Sequence, residues 1–174
     1  ILADKGVRAT FYVLGSNVKD HPDTVQRMVA EGHEVGNHSW SHPDFRELPD
    51  LVILNKELHR TSQIVADLTG IYPKHMRPPY GAVRDSTIGF LGEAGWKIVN
   101  WSVDSFDWDI KQNSAAEITS KVLGHSHPGA IILMHSGVTL HGTVAALPYI
   151  IQSLVDDGYK FLTVSELLGF SSER

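Results

Sequence analysis

Short apolar runs alternate with longer amphipathic stretches along the whole chain. Residues 8–13 (Arg-Ala-Thr-Phe-Tyr-Val) read as a strand, and residues 2–5 before them as the tail of a helix stopped by Gly6. The next helix is expected from Pro22, a residue suited to a first turn, with Val25, Met28 and Val29 on one face and Gly32 as its end. Residues 34–36 form a short strand. Residues 50–69 carry Leu54, Leu58, Val65 and Leu68 inward at helical spacing, ahead of a stop at Gly70. A brief extended run at 74–76, a helix over 85–94 closed by Gly95, and a strand at 96–101 follow. Ser114 and Glu117 form a capping box that opens another helix, because each can satisfy the other's backbone N–H. Residues 130–134 are almost wholly apolar, as in a strand buried on both faces. A helix at 143–157, a strand at 161–164 and a short helix opened by Ser165-Glu166 complete the pattern.

Alternation of this kind calls for a parallel sheet with helical crossovers, an α/β protein. The pattern yields six strands, and the chain opens inside a helix that would have followed a seventh. A distorted (β/α) barrel of about seven strands fits better than an open doubly wound sheet, and it would be short, since a full barrel takes about 250 residues. No linker, repeat or low-complexity tract divides the chain, so residues 1–174 are expected to be one domain, truncated at its N-terminus.

Composition narrows the chemistry. A net charge of −5 and a pI near 6.0 argue against nucleic-acid binding, which wants a basic face. No apolar run approaches the roughly 20 residues that span a bilayer. The chain opens on Ile1-Leu2-Ala3-Asp4-Lys5, with no signal-like segment. With no cysteine, disulfides, thiolate ligands and a Cys nucleophile are excluded, and metal ligands must come from His, Asp and Glu. Ten histidines are a surplus to trace.

Four polar clusters each follow an expected strand directly: His38-Ser-Trp-Ser-His42, Arg77-Pro-Pro-Tyr-Gly81, Asp104-Ser-Phe-Asp-Trp108 and His135-Ser-Gly137. In parallel β/α folds the C-terminal strand ends build the active face, so the four are expected to meet at one site. The spacing of His38 and His42 suits one Zn²⁺, although alone it also fits a pair of loop histidines. The three other clusters favour the metal. His135 at a catalytic face suits proton donation to a leaving amine. Arg77 could equally be an ion-pair partner, Pro78-Pro79 a rigid turn, Asp104 or Asp107 a cap, and Trp108 core. His125 and His127 are expected in a helix-to-strand loop away from the site, and His21, His33, His59 and His75 look isolated. His141 could line a substrate groove, and Asn37 could brace the first histidine's loop.

The first three segments and Leu133-Met-His135, in this order and spacing over nearly the whole chain, resemble motifs two to five of the polysaccharide deacetylases with a NodB-homology domain, carbohydrate esterase family 4. The resemblance implies a distorted (β/α) barrel that removes acetyl groups from N-acetylglucosamine polymers, peptidoglycan or chitin-type oligosaccharides. It implies His38 and His42 as ligands of zinc (cobalt or nickel in its place), with a third Asp ligand from motif one. Arg77 would orient the catalytic base, and the Tyr80 N–H beside Pro79 would meet the oxyanion. His135 would be the general acid, tuned by Asp107 in preference to Asp104, with Trp108 and Leu133 walling the acetyl pocket. Motif one, a Thr-Phe-Asp-Asp-Gly-like segment, has its place upstream of Ile1, and Asp4 is a poor substitute. A separate N-terminal fragment carrying it is thus an implied partner besides the polysaccharide. Such polymers imply a secreted or cell-wall-associated protein. An acetylxylan esterase with the same site, or a non-catalytic carbohydrate-binding pseudoenzyme, are the alternatives.

Overall fold

In the computed structural model, which describes residues 1–137 and 140–170, the chain divides into two compact units: residues 8–100 with 163–170, and residues 1–7 with 101–162. In the first unit, β1 (Thr10–Val13), β2 (Glu34–Asn37), β3 (His75–Met76) and β4 (Lys97–Ile98) form one sheet in that order, every pairing parallel. Thr10 pairs with Glu34 and Val13 with Asn37, which in turn pairs with Met76. Parallel neighbours leave a sheet at the same edge, so His38 after β2 and Arg77 after β3 emerge together. Helices α1 (Gly15–Asp20) and α2 (Pro22–Ala30) connect β1 to β2.

The helix between β2 and β3 has the bounds its periodicity predicts, 50–69, but changes character along its length. α3 (Asp50–Val52) passes into a π-helical stretch, Ile53–His59, and then into α4 (Arg60–Thr69), capped by left-handed Gly70. Ile53, not Leu54, is the fully buried residue, and with Phe45, Leu58, Met76, Leu91 and Trp96 it makes one core cluster. Val18, Val25, Val35 and Val65 make a second. α5 (Asp85–Glu93) precedes β4.

In the second unit, β5 (Val103–Asp104) and β6 (Ile132–Leu133) pair in parallel, so the residues that follow them again leave at one edge. α6 (Ala115–His125) opens with the expected Ser114–Glu117 capping box. It packs on α7 (His141–Asp156) through Ile118, Val122, Ala146, Ile150 and Leu154.

Several expected elements differ. The run at 96–101 contributes only Lys97–Ile98, and neither β5 nor α1 has a counterpart in the apolar pattern. Residues 161–164 are not a strand despite their β-rich composition. Thr163 instead caps α8 (Val164–Leu168), exchanging side-chain and backbone bonds with Glu166, so capping overrides local propensity. Residues 2–6 are turns that end on left-handed Gly6.

Two histidines expected to be isolated are buried and bonded. His33 Nδ1 accepts the Ala9 N–H at 3.2 Å. His75 lies 3.3 Å from the Tyr12 hydroxyl through Nδ1 and 3.4 Å from Glu34 through Nε2. A side chain at Gly36 would strike the His75 and Tyr12 rings, its Cβ falling 2.6 Å from one and 2.7 Å from the other. Burial opposes ionisation of Glu34, but bonds from His75, the Ser165 N–H and the Thr10 hydroxyl outweigh it. They bring its carboxyl from 4.5 down to about 2. A carboxyl lowered on folding contributes stability above its unfolded value, and this is lost as pH falls through the folded one. Each tenfold change in proton affinity corresponds to about 1.4 kcal/mol, and solvent around a half-buried group screens part of it. We expect Glu34→Gln to destabilise the protein by about 2 kcal/mol at neutral pH. In urea titrations the gap from wild type should close as pH drops from 4.5 toward 2. A gap that is constant with pH would disprove this role.

Candidate active site

The first cluster is a strained turn held from within. Ser39 and His42 both take left-handed backbone, φ 74° and 61°, which costs a non-glycine residue about 1–3 kcal/mol. The fully buried Asn37 compensates: its Oδ1 accepts the Ser39 N–H, and its Nδ2 donates to the Leu58 carbonyl and to Ser62 Oγ. Ser39 Oγ then accepts the His42 N–H at 2.9 Å. From the π-helical stretch, buried Glu57 accepts the Trp40 N–H, the Ser41 N–H and the Ser41 hydroxyl, at 2.8, 3.0 and 3.1 Å.

This turn brings the His38 and His42 rings to 4.9 Å between centroids, inclined by 74°. His38 Nδ1 lies 2.7 Å from the Arg77 carbonyl oxygen. A carbonyl only accepts, so Nδ1 carries the hydrogen and Nε2 the lone pair. An imidazole held by a backbone carbonyl in this way has the outer bond that metal-ligating histidines usually show. The pair therefore fits part of the ligand set of one divalent ion, and imidazole donors suit zinc, copper, nickel or iron. No group of three or more His, Cys, Asp or Glu arranged for a metal occurs among the described residues.

Arg77 is buried, its guanidinium 4.4 Å from the Tyr12 ring centroid, and it donates to the Val99 and Asn100 carbonyls. Buried Pro79 and left-handed Tyr80 (φ 59°) form a 3₁₀ turn that presents Tyr80 outward at 67% exposure. The Tyr80 ring sits 4.7 Å from that of His42.

In the other unit, β5 and β6 deliver a second constellation. Asp107 is wholly buried, and its carboxylate accepts three bonds: the His135 N–H at 2.8 Å, His135 Nδ1–H at 2.7 Å and the Thr143 hydroxyl at 2.8 Å. Burial pushes its carboxyl up, but the bonds from His135 and Thr143 prevail and hold it below the ordinary carboxylate range. The His135 side chain remains 42% exposed, and with Nδ1 committed to Asp107, Nε2 is the ring nitrogen not used in that bond. Asp104 does not reach His135; it accepts the Phe106 N–H and the Trp108 indole N–H. Trp108 is 54% exposed and so is not core, whereas Leu133 is buried on β6. His141 is the exposed first residue of α7.

Two participants escape sequence reading. Thr143 reaches Asp107 because its neighbour Gly142 lacks a side chain: a Cβ there would lie 1.9 Å from the Asn113 carbonyl oxygen. Glu57 had one available signal, an acid on the inward face of a helix that also buries Leu58. His125 and His127 are exposed, each with Nδ1 on a nearby carbonyl.

A sequence profile described as "polysaccharide deacetylase" matches residues 1–99, more than half of the chain. The chain belongs to the polysaccharide deacetylase family. This family member is 41% identical to a peptidoglycan-N-acetylglucosamine deacetylase of Bacillus cereus, over 99% of its own length and 62% of the relative's. It thus spans less than two thirds of that curated relative. The crystal structure of the Bc1960 peptidoglycan N-acetylglucosamine deacetylase superposes with a TM-score of 0.94 at 40% identity, over 99% of this chain and 80% of that one. A CE4 family pseudoenzyme from Bacillus anthracis matches at TM-score 0.87 and 32% identity, over 96% of this chain and 57% of that one. The α/β class with parallel sheets is that of these (β/α) barrels.

Proposed function

We propose that this deacetylase-family chain carries most of the machinery of a metal-dependent hydrolase that removes acetyl groups from N-acetylglucosamine polymers. The observation that carries the proposal is the buried Asp107 carboxylate holding the His135 imidazole by Nδ1. Names of similar proteins support peptidoglycan as the polymer class. His38 and His42 would hold the ion, zinc by default. When bound, such an ion polarises a carbonyl and acidifies water.

The chain's own groups do the rest. The Tyr80 N–H donates to the oxygen that gains charge as the acetyl carbon becomes tetrahedral, an interaction worth about 3 kcal/mol per well-placed donor. His135, its ring fixed by Asp107, gives the proton on Nε2 to the departing amine, so the sugar leaves neutral. Asp107 stays ionised throughout because its three donors leave it no other role than acceptor. Arg77 positions the base, which an upstream Asp-Asp segment would supply, in the same polypeptide or as a separate fragment. Trp108 and Leu133 bound the acetyl group. No described helix is long and apolar enough to cross a membrane. A cell-wall polymer as substrate would put the work outside the cytoplasm, in a secreted or cell-wall-associated protein.

The test is acetate release by the protein supplied with such an upstream segment. Chitooligosaccharides and N-acetylated peptidoglycan should be hydrolysed, with little release from acetylxylan. Release from acetylxylan alone would make the protein an O-acetyl esterase. The similarity to a pseudoenzyme favours one further reading, a carbohydrate-binding domain without turnover. Polymer binding with no acetate from any substrate would establish it.

A further inference from the structure

Ser39, Trp40 and Ser41 lie between the two proposed ligands; Ser39 is held by Asn37 of the preceding strand, whereas the Trp40 and Ser41 N–H groups are held by Glu57. The geometry points to Glu57 as the positioning residue of the metal-ligand turn, acting through Trp40 and Ser41 on the distance between the His38 and His42 rings. This inference rests on the metal reading above and goes beyond it.

Three features carry it. The carboxylate of Glu57 is buried, and its three accepted bonds all come from Trp40 and Ser41, two of the three residues between the histidines. Those bonds gather the backbone of a turn whose flanking residues, Ser39 and His42, are both left-handed, so the turn is not the chain's own lowest-energy path. Glu57 also sits within the π-helical stretch Ile53–His59. The looser i→i+5 winding shifts residues relative to an α-helix, a device often found where a helix serves a site. Here Leu58 enters the core and gives its carbonyl to Asn37 while the adjacent Glu57 reaches the turn. One helical stretch therefore holds both ends of the turn: Asn37 before His38, and Trp40-Ser41 before His42.

A purely structural acid would affect folding alone; a positioning acid must also set metal affinity in the folded protein. The test is zinc titration calorimetry on the full chain, counting only the binding that His38→Ala abolishes, alongside thermal melts. Glu57→Leu, which keeps bulk but accepts nothing, should weaken that binding by roughly 10- to 100-fold, the usual range for groups that hold a ligand in place. Glu57→Asp withdraws the acceptor by one methylene while keeping a buried acid, and should lose at least several-fold even if the Leu variant does not fold. Glu57→Gln, whose amide oxygen can still accept the two N–H groups, should come back to within about threefold of wild type. Folded Leu or Asp variants that bind zinc within twofold of wild type would overturn the inference. Wild-type protein with no His38-dependent zinc binding would instead overturn the metal reading, and this inference with it.

Discussion

Asp107→Asn should reduce deacetylation by roughly 10²–10⁴-fold while the protein stays folded. The wild-type carboxylate only accepts, so His135 must donate from Nδ1, which leaves Nε2 for the proposed proton transfer. An amide side chain in the same place can satisfy the His135 N–H with its oxygen. Its NH₂ then faces Nδ1 and donates to it. The ring becomes a neutral imidazole whose remaining N–H belongs to an uncharged group, a far weaker acid toward an amine than an imidazolium. A mis-set tautomer of this kind costs orders of magnitude in turnover. Asp107→Ala should be worse in a second respect. It strands the His135 N–H, the imidazole N–H and the Thr143 hydroxyl around a cavity, at a cost of about 3 kcal/mol or more. Acetate release, chemical denaturation and the ¹⁵N shifts of the His135 ring separate the two effects. An Asn variant with wild-type turnover would end the assignment of Asp107.

His135→Ala should likewise lower turnover by about 10²–10⁴-fold, the usual worth of a positioned acid or base. Zinc content should not change, because His135 is assigned to proton transfer and the ion to His38 and His42. His42→Ala should abolish both. Metal analysis beside acetate release tells the two classes apart, and an His135→Ala protein that loses its zinc would contradict the division of labour. Small amines or imidazole in the buffer should partly restore the Ala variant if a missing proton donor is the whole defect.

Much of this is legible in the sequence because chemistry-bearing residues directly follow apolar runs. The alternation alone places His38, Arg77 and His135 at strand ends, and β2, β3 and β6 do precede them; it puts Asp107 after a strand at 96–101, whereas β5, absent from the apolar pattern, delivers it. The residues by themselves do not decide between Asp104 and Asp107: the acids are three apart, one ending β5 and one in the loop after it, and only the fold determines which turns to His135. Thr143 is hidden because its part depends on how closely α7 approaches Asn113, a distance no local pattern encodes. Glu57 is hidden because helical periodicity marks a face as inward without revealing the π-helical winding. Residues 161–164 mislead because strand propensity is a statement about packing surfaces, and Thr163 finds a better use as a cap. His75 looks isolated since its partners, Tyr12 on β1 and Glu34 on β2, lie on other strands of the sheet, far away in sequence.

The turn after β2 is proposed to hold one divalent ion between two imidazoles. Anomalous diffraction from zinc-soaked crystals, recorded on both sides of the zinc edge, addresses it directly. One strong peak is expected about 2.0–2.1 Å from a ring nitrogen of each of His38 and His42, with Nε2 the atom used by His38. Rings that diverge without a shared peak, or zinc found solely at surface histidines such as His125 and His127, would contradict it.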